Sequence, residues 1–290
     1  MNNFSANYEK ILETLQDLET KMNFLNQKRK PQVSDIELIA IDLTSEFLGI
    51  DSERDLFRKL PDNLASMIER SVYNRRKRSL FPHRELLRKK MIQSIGRQDY
   101  YIVDSMPLEA CKLSRSSRSN ICKEDYHTAP NKGYCASQKN HYYGYKLHAV
   151  CTIEGVFTDF DLTPASVHDI HYLKDIKQMY TGCTIVGDKG YLSVDYQMNL
   201  FSSSQIRLEV PIRKNQNNYK PQAFIFRKSR KRIETLFSQL CDQFMIRRNY
   251  AKSFDGFKNR ILSKIMALTV IQLINKLKNK NINNIKTAIV

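Results

Sequence analysis

The hydrophobic period of this chain changes near residue 100, and that change limits what it can fold into. Before it, apolar residues recur every three or four positions. After it, they come in short aromatic and β-branched runs. A chain divided in this way predicts a helical first part followed by a mixed α/β sheet with helices packed on it.

In the first part, Ser34 and Glu37 stand ahead of the series Ile36, Ile39, Leu43 and Phe47. That spacing predicts a capping box and an amphipathic helix ending near Gly49. A short helix over 52–60 should stop at Pro61, and a third should run from about Asn63 towards Leu80. Three short helices with tight links suggest a helix-turn-helix module. The third carries Arg70, Asn74, Arg75, Arg76, Lys77 and Arg78, and a fourth, over about 84–95, adds Arg88, Lys89 and Lys90. From Arg70 to Arg97 the only acid is Glu85. The whole chain is cationic as well: 47 Lys and Arg against 30 Asp and Glu in 290 residues give a formal charge of +17. A one-signed run in such a chain favours contact with a phosphate backbone over a plain solvated face.

In the second part, strands are expected over 100–104 (YYIVD), 142–153, 156–163, 183–188 (CTIVGD) and 206–212, with a hairpin turn at Glu154-Gly155. Helices are expected over 168–179, 194–201 and 228–244, giving the order βββαβαβα. A last helix over 254–277 places Phe257, Ile261, Ile265, Leu268 and Ile271 at helical spacing, as core or as a dimer surface. Residues 111–141 are polar and basic, and read as a flap over the site. No apolar stretch approaches the ~20 residues of a membrane span, and the polar start lacks a signal-peptide core. A cytoplasmic protein with no membrane partner is expected, its six scattered cysteines reduced.

Three acids stand out. Asp104 and Asp188 each end a hydrophobic run, and neighbouring strand ends can bring two carboxylates together. Glu234 borders the apolar stripe Ile233, Leu236, Phe237, Leu240 and Phe244 of its helix. Carboxylates held close need a raised pKa or a cation. Hard divalent ions prefer oxygen ligands, and two of them ~3.5–4 Å apart can serve both the attacking and the leaving oxygen of a phosphodiester. Cations surround these acids: Lys189 follows Asp188, and Arg227, Lys228, Arg230, Lys231 and Arg232 precede Glu234. Each acid alone also fits a structural role, as a turn, a strand-end cap or an i, i−4 partner of Arg230.

The segments VDSMPLEACK (103–112), YYGYKLHAV (142–150), ASVHD (165–169), IVGDKGY (185–191) and RKRIETLFSQL (230–240) resemble the DDE transposases of bacterial insertion sequences, most closely the family numbered nine-eighty-two. That resemblance implies a ribonuclease-H-like catalytic core over 98–250, after a helical DNA-binding region over 1–97 and before a C-terminal helix over 251–290 that packs or dimerises. It implies that Asp104, Asp188 and Glu234 are the catalytic acids and bind two Mg²⁺ ions, with Mn²⁺ as a substitute. Their spacings, 188 − 104 = 84 and 234 − 188 = 46, suit such a core. Lys189, Arg230 and Lys231 would meet phosphates. The partner would be double-stranded DNA, at terminal inverted repeats and at the target, with a homodimer holding two ends. In the signature Y-x2-R-x3-E-x6-K, Arg230 and Glu234 match, but Arg227 stands for the Tyr and Cys241 for the Lys. These departures keep open a DNA-binding regulator without catalysis, and the shared chemistry keeps open another two-metal nuclease. His168 and Asp169 read as a helix cap rather than a catalytic dyad.

Overall fold

The structure, a computed structural model, describes residues 4–96, 98–212, 219 and 221–286. Six helices come first: α1 (Phe4–Leu18), α2 (Asp35–Phe47), α3 (Glu53–Lys59), α4 (Asp62–Ala65), α5 (Arg70–Ser79) and α6 (Phe81–Ile95). The chain continues through β1 (Tyr100–Cys111), β2 (Asn131–Cys135), β3 (Asn140–Thr152), β4 (Phe157–Pro164), α7 (Leu173–Met179), β5 (Thr184–Val186), α8 (Val194–Ser204), β6 (Arg207–Glu209) and α9 (Phe224–Asp242). It closes on α10 (Phe254–Leu277). Contacts divide it into two compact units: Met1–Gly96 with Gln239–Ala251 and Asp255–Val290, and Arg97–Ser238 with Lys252–Phe254.

The helical unit starts as its caps dictate. Ser34 Oγ accepts from the Glu37 N–H at 3.2 Å, while the Glu37 carboxylate accepts from the Ser34 N–H at 2.6 Å, so both orphan donors at the start of α2 are satisfied. Ser52 caps α3 in the same way through the Asp55 N–H. The single helix expected from Asn63 to Leu80 is instead two, α4 and α5, separated at residues 66–69. Every residue of α10 from Ile261 to Asn275 is buried, so this helix forms the centre of the unit and leaves no free apolar face along that stretch.

The other unit is a six-stranded mixed sheet. β3 pairs antiparallel with β1 along one edge; along its other edge it takes β2 at its start and β4 further on. β5 and β6 continue parallel beyond β1, giving the order β2-β3-β1-β5-β6 with β4 on β3. β2 and the second half of β1 were not foreseen. β1 runs on past Asp104 to a bulge between Glu109 and Cys111, where Gly144 opposes it. A Cβ at Gly144 would stand 2.1 Å from the Leu108 carbonyl, so that crossing requires glycine. Val103, Val150, Ile185 and Leu208 pack on α7 and α8 through Leu173, Ile176 and Leu200. α9 meets Phe157 of the sheet through Phe237, ring to ring at 5.9 Å.

Candidate active site

The parallel register ends at Ile102 with Val186; Asp104 and Asp188 each lie two residues beyond that pair, and the Asp188 charge acts on the Asp104 carboxyl. Both therefore stand where the short β5 gives out, at the carboxyl end of the parallel strands, the place where open α/β sheets bind ligands. Asp104 is inside the long β1 rather than at its end, because antiparallel pairing with β3 carries β1 onward. Asp188 Oδ1 accepts from the Gly190 N–H at 2.7 Å and caps the 3₁₀ turn Lys189–Tyr191. A Cβ at residue 190 would lie 2.9 Å from that oxygen, so the cap needs the small residue found there.

Burial pushes the Asp104 carboxyl up to about 7. The Ser105 N–H on Oδ1 opposes the rise, the Asp188 charge adds to it, Arg230 of α9 opposes it, and the Asp169 charge adds again. Among the described residues neither Asp104 nor Asp188 makes an ion pair. Two oxygen-donor groups held together in this way suit a hard divalent cation, which would relieve their repulsion. Glu234 lies exposed on α9, one helical turn after the half-buried Arg230. Among the described residues no three His, Cys, Asp or Glu side chains close around a common metal position, so Glu234 is not gathered with the two aspartates. Lys189 and Lys231 are exposed.

A further acid has come in where a cap was expected. His168 is the cap, its Nδ1 accepting from the Ile170 N–H at 3.3 Å. Asp169 instead turns to the sheet: its Oδ1 accepts from Ser105 Oγ at 3.0 Å and from Lys146 Nζ at 3.1 Å, and lies 3.9 Å from His148 Nδ1. His148 is fully buried, stacks on Tyr172 at 5.0 Å and shares a 2.8 Å hydrogen bond with Thr163. Burial lowers its pKa to about 4 despite the Asp169 charge, so the ring is neutral at pH 7. The available signal was strand alternation: Lys146 and His148 on β3, with Ser105 opposite His148 on β1, share one face.

The basic run of the helical unit divides in two. Arg70, Arg75 and Arg78 are exposed and Lys89 is half-buried. Arg78 and Asn74 bond each other, and Asn74 also holds Glu53 at 2.5 Å. Arg76, Lys77 and Arg88 are buried. Arg76 pairs with Asp35 at 2.6 Å, Lys77 with Asp42 at 2.5 Å, and Arg88 with Glu85. Arg84, also buried, reaches the other Asp42 oxygen at 2.7 Å. The region 111–141 is not an unstructured flap. It contains the end of β1, a 3₁₀ turn at Leu113–Arg115 and β2, and is tied down by Cys122 N–H to the Lys252 carbonyl (2.7 Å) and Tyr145 O–H to the Thr128 carbonyl (2.8 Å).

Comparison with known families decides what this arrangement belongs to. The family model described as "Transposase DDE domain" matches residues 96–270, more than half of the chain. The chain belongs to the DDE transposase family. Neither the curated proteins nor the solved structures include a match to it. Transposases of this family generally use divalent metals, and membership implies DNA as the partner class. Among the described residues, no helix is long and apolar enough to cross a membrane.

Proposed function

We propose that this transposase serves a bacterial insertion sequence of the type numbered nine-eighty-two, cutting phosphodiester bonds at the element's ends and joining the 3′-OH ends to target DNA. The observation that carries the reading is the Asp104–Asp188 pair: two carboxylates, each two residues past the last parallel pair of β1 and β5, one held near pH 7 by burial and by its neighbour, with arginine and lysine close by. The mixed strand order with α9 after the sheet supports a ribonuclease-H-like core. Two Mg²⁺ ions, or Mn²⁺ in their place, would when bound supply a nucleophile at neutral pH and stabilise the leaving oxygen. Asp104 and Asp188 would hold them, with Glu234 brought in along α9.

The chain's own residues do the rest. Arg230, within the field of Asp104, would orient a phosphate flanking the cut, and exposed Lys189 and Lys231 would hold the backbone to either side. The helical region over 1–97 would bind the terminal inverted repeats, with Arg70, Arg75, Arg78 and Lys89 contributing phosphate contacts and a homodimer holding two ends. Residues 251–290 would act by packing, in keeping with the burial of α10. One observation favours a DNA-binding regulator instead: at Cys241, where the signature has Lys, burial raises the thiol pKa, so the group is neutral and supplies no cation. Cleavage of a labelled duplex carrying the element's own ends separates the two. Cuts that require Mg²⁺ and vanish in Glu234→Ala support the transposase, whereas specific binding without cuts supports the regulator.

A further inference from the structure

We infer that the outer face of the β2–β3 hairpin is a stacking site for an unpaired base of a DNA strand, with Tyr134 as the platform and Lys123, Lys132 and Lys139 as phosphate contacts. The inference rests on DNA as the partner class that family membership implies, and adds a place where a single strand is held. β2 and β3 pair with Lys132 opposite Tyr143 and Tyr134 opposite His141, and directly opposed residues of an antiparallel pair share a face. Cations and rings therefore alternate along one side of the hairpin. The Tyr134 and His141 rings meet with centroids 4.9 Å apart, and both residues are exposed, Tyr134 by 53%. Lys123 Nζ stands 5.9 Å over the Tyr143 ring, and Lys139 lies in the exposed turn that joins the two strands.

The opposite face is the one the fold uses. Cys135 and Tyr142 pack there with Ala165, Gly133 lies against Ala165 with no room for a Cβ, and Asn131 and Ser166 exchange hydrogen bonds at 2.7 and 2.8 Å. The hairpin is thus held from one side, while Tyr134 and His141 on the other cover no core. Charge selects a polyanion for that open side: from Lys112 to Lys139 six Lys and Arg stand against Glu124 and Asp125 alone, and those two carboxylates already accept from the Phe254 and His127 N–H groups. Among the described residues Lys132 and Lys139 make no ion pair. Rings beside unpaired cations suit a single strand better than a duplex, because a ring stacks only on a base whose π-face is free. Position agrees. Tyr143 precedes Ala149 on β3 by 149 − 143 = 6 residues, and Ala149 opposes Asp104, so hairpin and Asp104 lie on one face of the sheet about 20 Å apart. A strand with its end at Asp104 can reach the hairpin with the nucleotides that follow.

The test measures binding of the full chain to a fluorescein-labelled oligothymidylate of about 12 nucleotides and to a blunt duplex of equal length, with the melting temperature of each variant taken alongside. Tyr134→Ala should weaken single-strand binding about tenfold or more, the worth of one base stack, and change duplex binding by less than about twofold. Tyr134→Phe keeps the ring and should bind the single strand as the wild type does. Lys132→Ala should lower the slope of log affinity against log salt for the single strand by about 0.7. The inference is overturned if Tyr134→Ala binds the oligothymidylate like the wild type, if Tyr134→Phe loses as much as Tyr134→Ala, or if Tyr134→Ala weakens duplex binding equally. Should Tyr134→Ala fail to fold, Lys132→Ala decides, and an unchanged salt slope overturns the inference. A wild type that binds neither probe defeats the DNA reading itself. That result is distinct from normal duplex binding combined with a single-strand affinity indifferent to Tyr134, which overturns the inference alone.

Discussion

Acids shielded from water, wholly in one unit and partly in the other, are treated in opposite ways in the two units. In the helical unit Asp35, Asp42 and Glu46 are each in contact with a buried cation, Arg76, Lys77 with Arg84, and Lys264, at 2.5–2.7 Å. Asp42 also accepts from Ser263 at 2.8 Å and Tyr73 at 3.1 Å. Burial alone would raise its pKa, but the Lys77 and Arg84 charges outweigh burial and hold the carboxyl well below its usual range. In the sheet unit Asp104 is left without an ion pair and titrates near 7. A satisfied network specifies a core, whereas an unsatisfied pair remains free to bind something else. The contrast is that charge is compensated inside the helical unit, whereas the half-buried Asp104 carboxyl of the sheet unit has no ion partner among the described residues.

The largest expected effect tests that split directly. Asp188→Asn should lower Mg²⁺-dependent cutting by roughly three orders of magnitude or more. It should leave the melting temperature unchanged or raised, because a repulsion is removed. Loss of folding together with activity would mean that the pair is structural after all. Asp42→Asn is the mirror experiment. It leaves Lys77 and Arg84 buried without the carboxylate that pairs with both, and should cost about 3–5 kcal/mol in urea unfolding. A cost below about 1 kcal/mol would break the comparison from the other side.

Acidity gives the next effect, with opposite signs in the two units. A carboxyl whose pKa is raised in the folded state keeps a proton that the unfolded chain has released. The stability from Asp104 is therefore full below its ordinary value of 3.8 and lost as pH rises through about 7. Asp104→Asn should stabilise the protein by a few kcal/mol at pH 8 and by almost nothing at pH 4. The buried His148, whose pKa falls to about 4, titrates in the same window but cancels in the difference between wild type and variant. Asp42 runs the other way: its depressed pKa gives stability above 3.8 that is lost as pH falls below it. Denaturation curves of the wild type and Asp104→Asn at pH 4 and pH 8 test the first sign, and curves of the wild type and Asp42→Asn at about pH 2.5 and about pH 5 test the second.

What could be read from the sequence follows from which forces are local. Caps and periodicity are local, so the Ser34–Glu37 box and the limits of α10, Phe254 to Leu277, match their expectation. β2 is five residues, NKGYC, whose pairing is fixed by β3 and by nothing in its own pattern. For the site, the strand ends suggested that Asp104 and Asp188 could approach, and the parallel register puts each two residues past the last pair of β1 and β5. The contacts of Asp169 could not be read, because its partners Ser105 and Lys146 lie 64 and 23 residues away and are joined only by the β1–β3 pairing. The basic run is legible only as charge for a related reason: which of its residues are buried depends on distant acids such as Asp35 and Asp42.

That last point gives the smallest effect and the sharpest form of the comparison, since Arg75 and Arg76 are neighbours with opposite surroundings. Arg75 is exposed, whereas Arg76 is buried, donating to the Val33 carbonyl at 2.8 Å and pairing with Asp35 at 2.6 Å. If the exposed half of the run meets phosphate, Arg75→Ala should weaken duplex binding less than tenfold, lower the slope of log affinity against log salt by about one, and leave the melting temperature in place. Arg76→Ala should do the reverse, lowering the melting temperature because Asp35 is left buried and unpaired, with the salt slope unchanged for the fraction that stays folded. If both substitutions changed the salt slope equally, Arg76 would have to leave its pocket to reach DNA, and the division between structural and functional charge would not hold in the helical unit. If neither changed it, the DNA contact would have to come from other cations, and Arg70 and Lys89 would be the next to substitute.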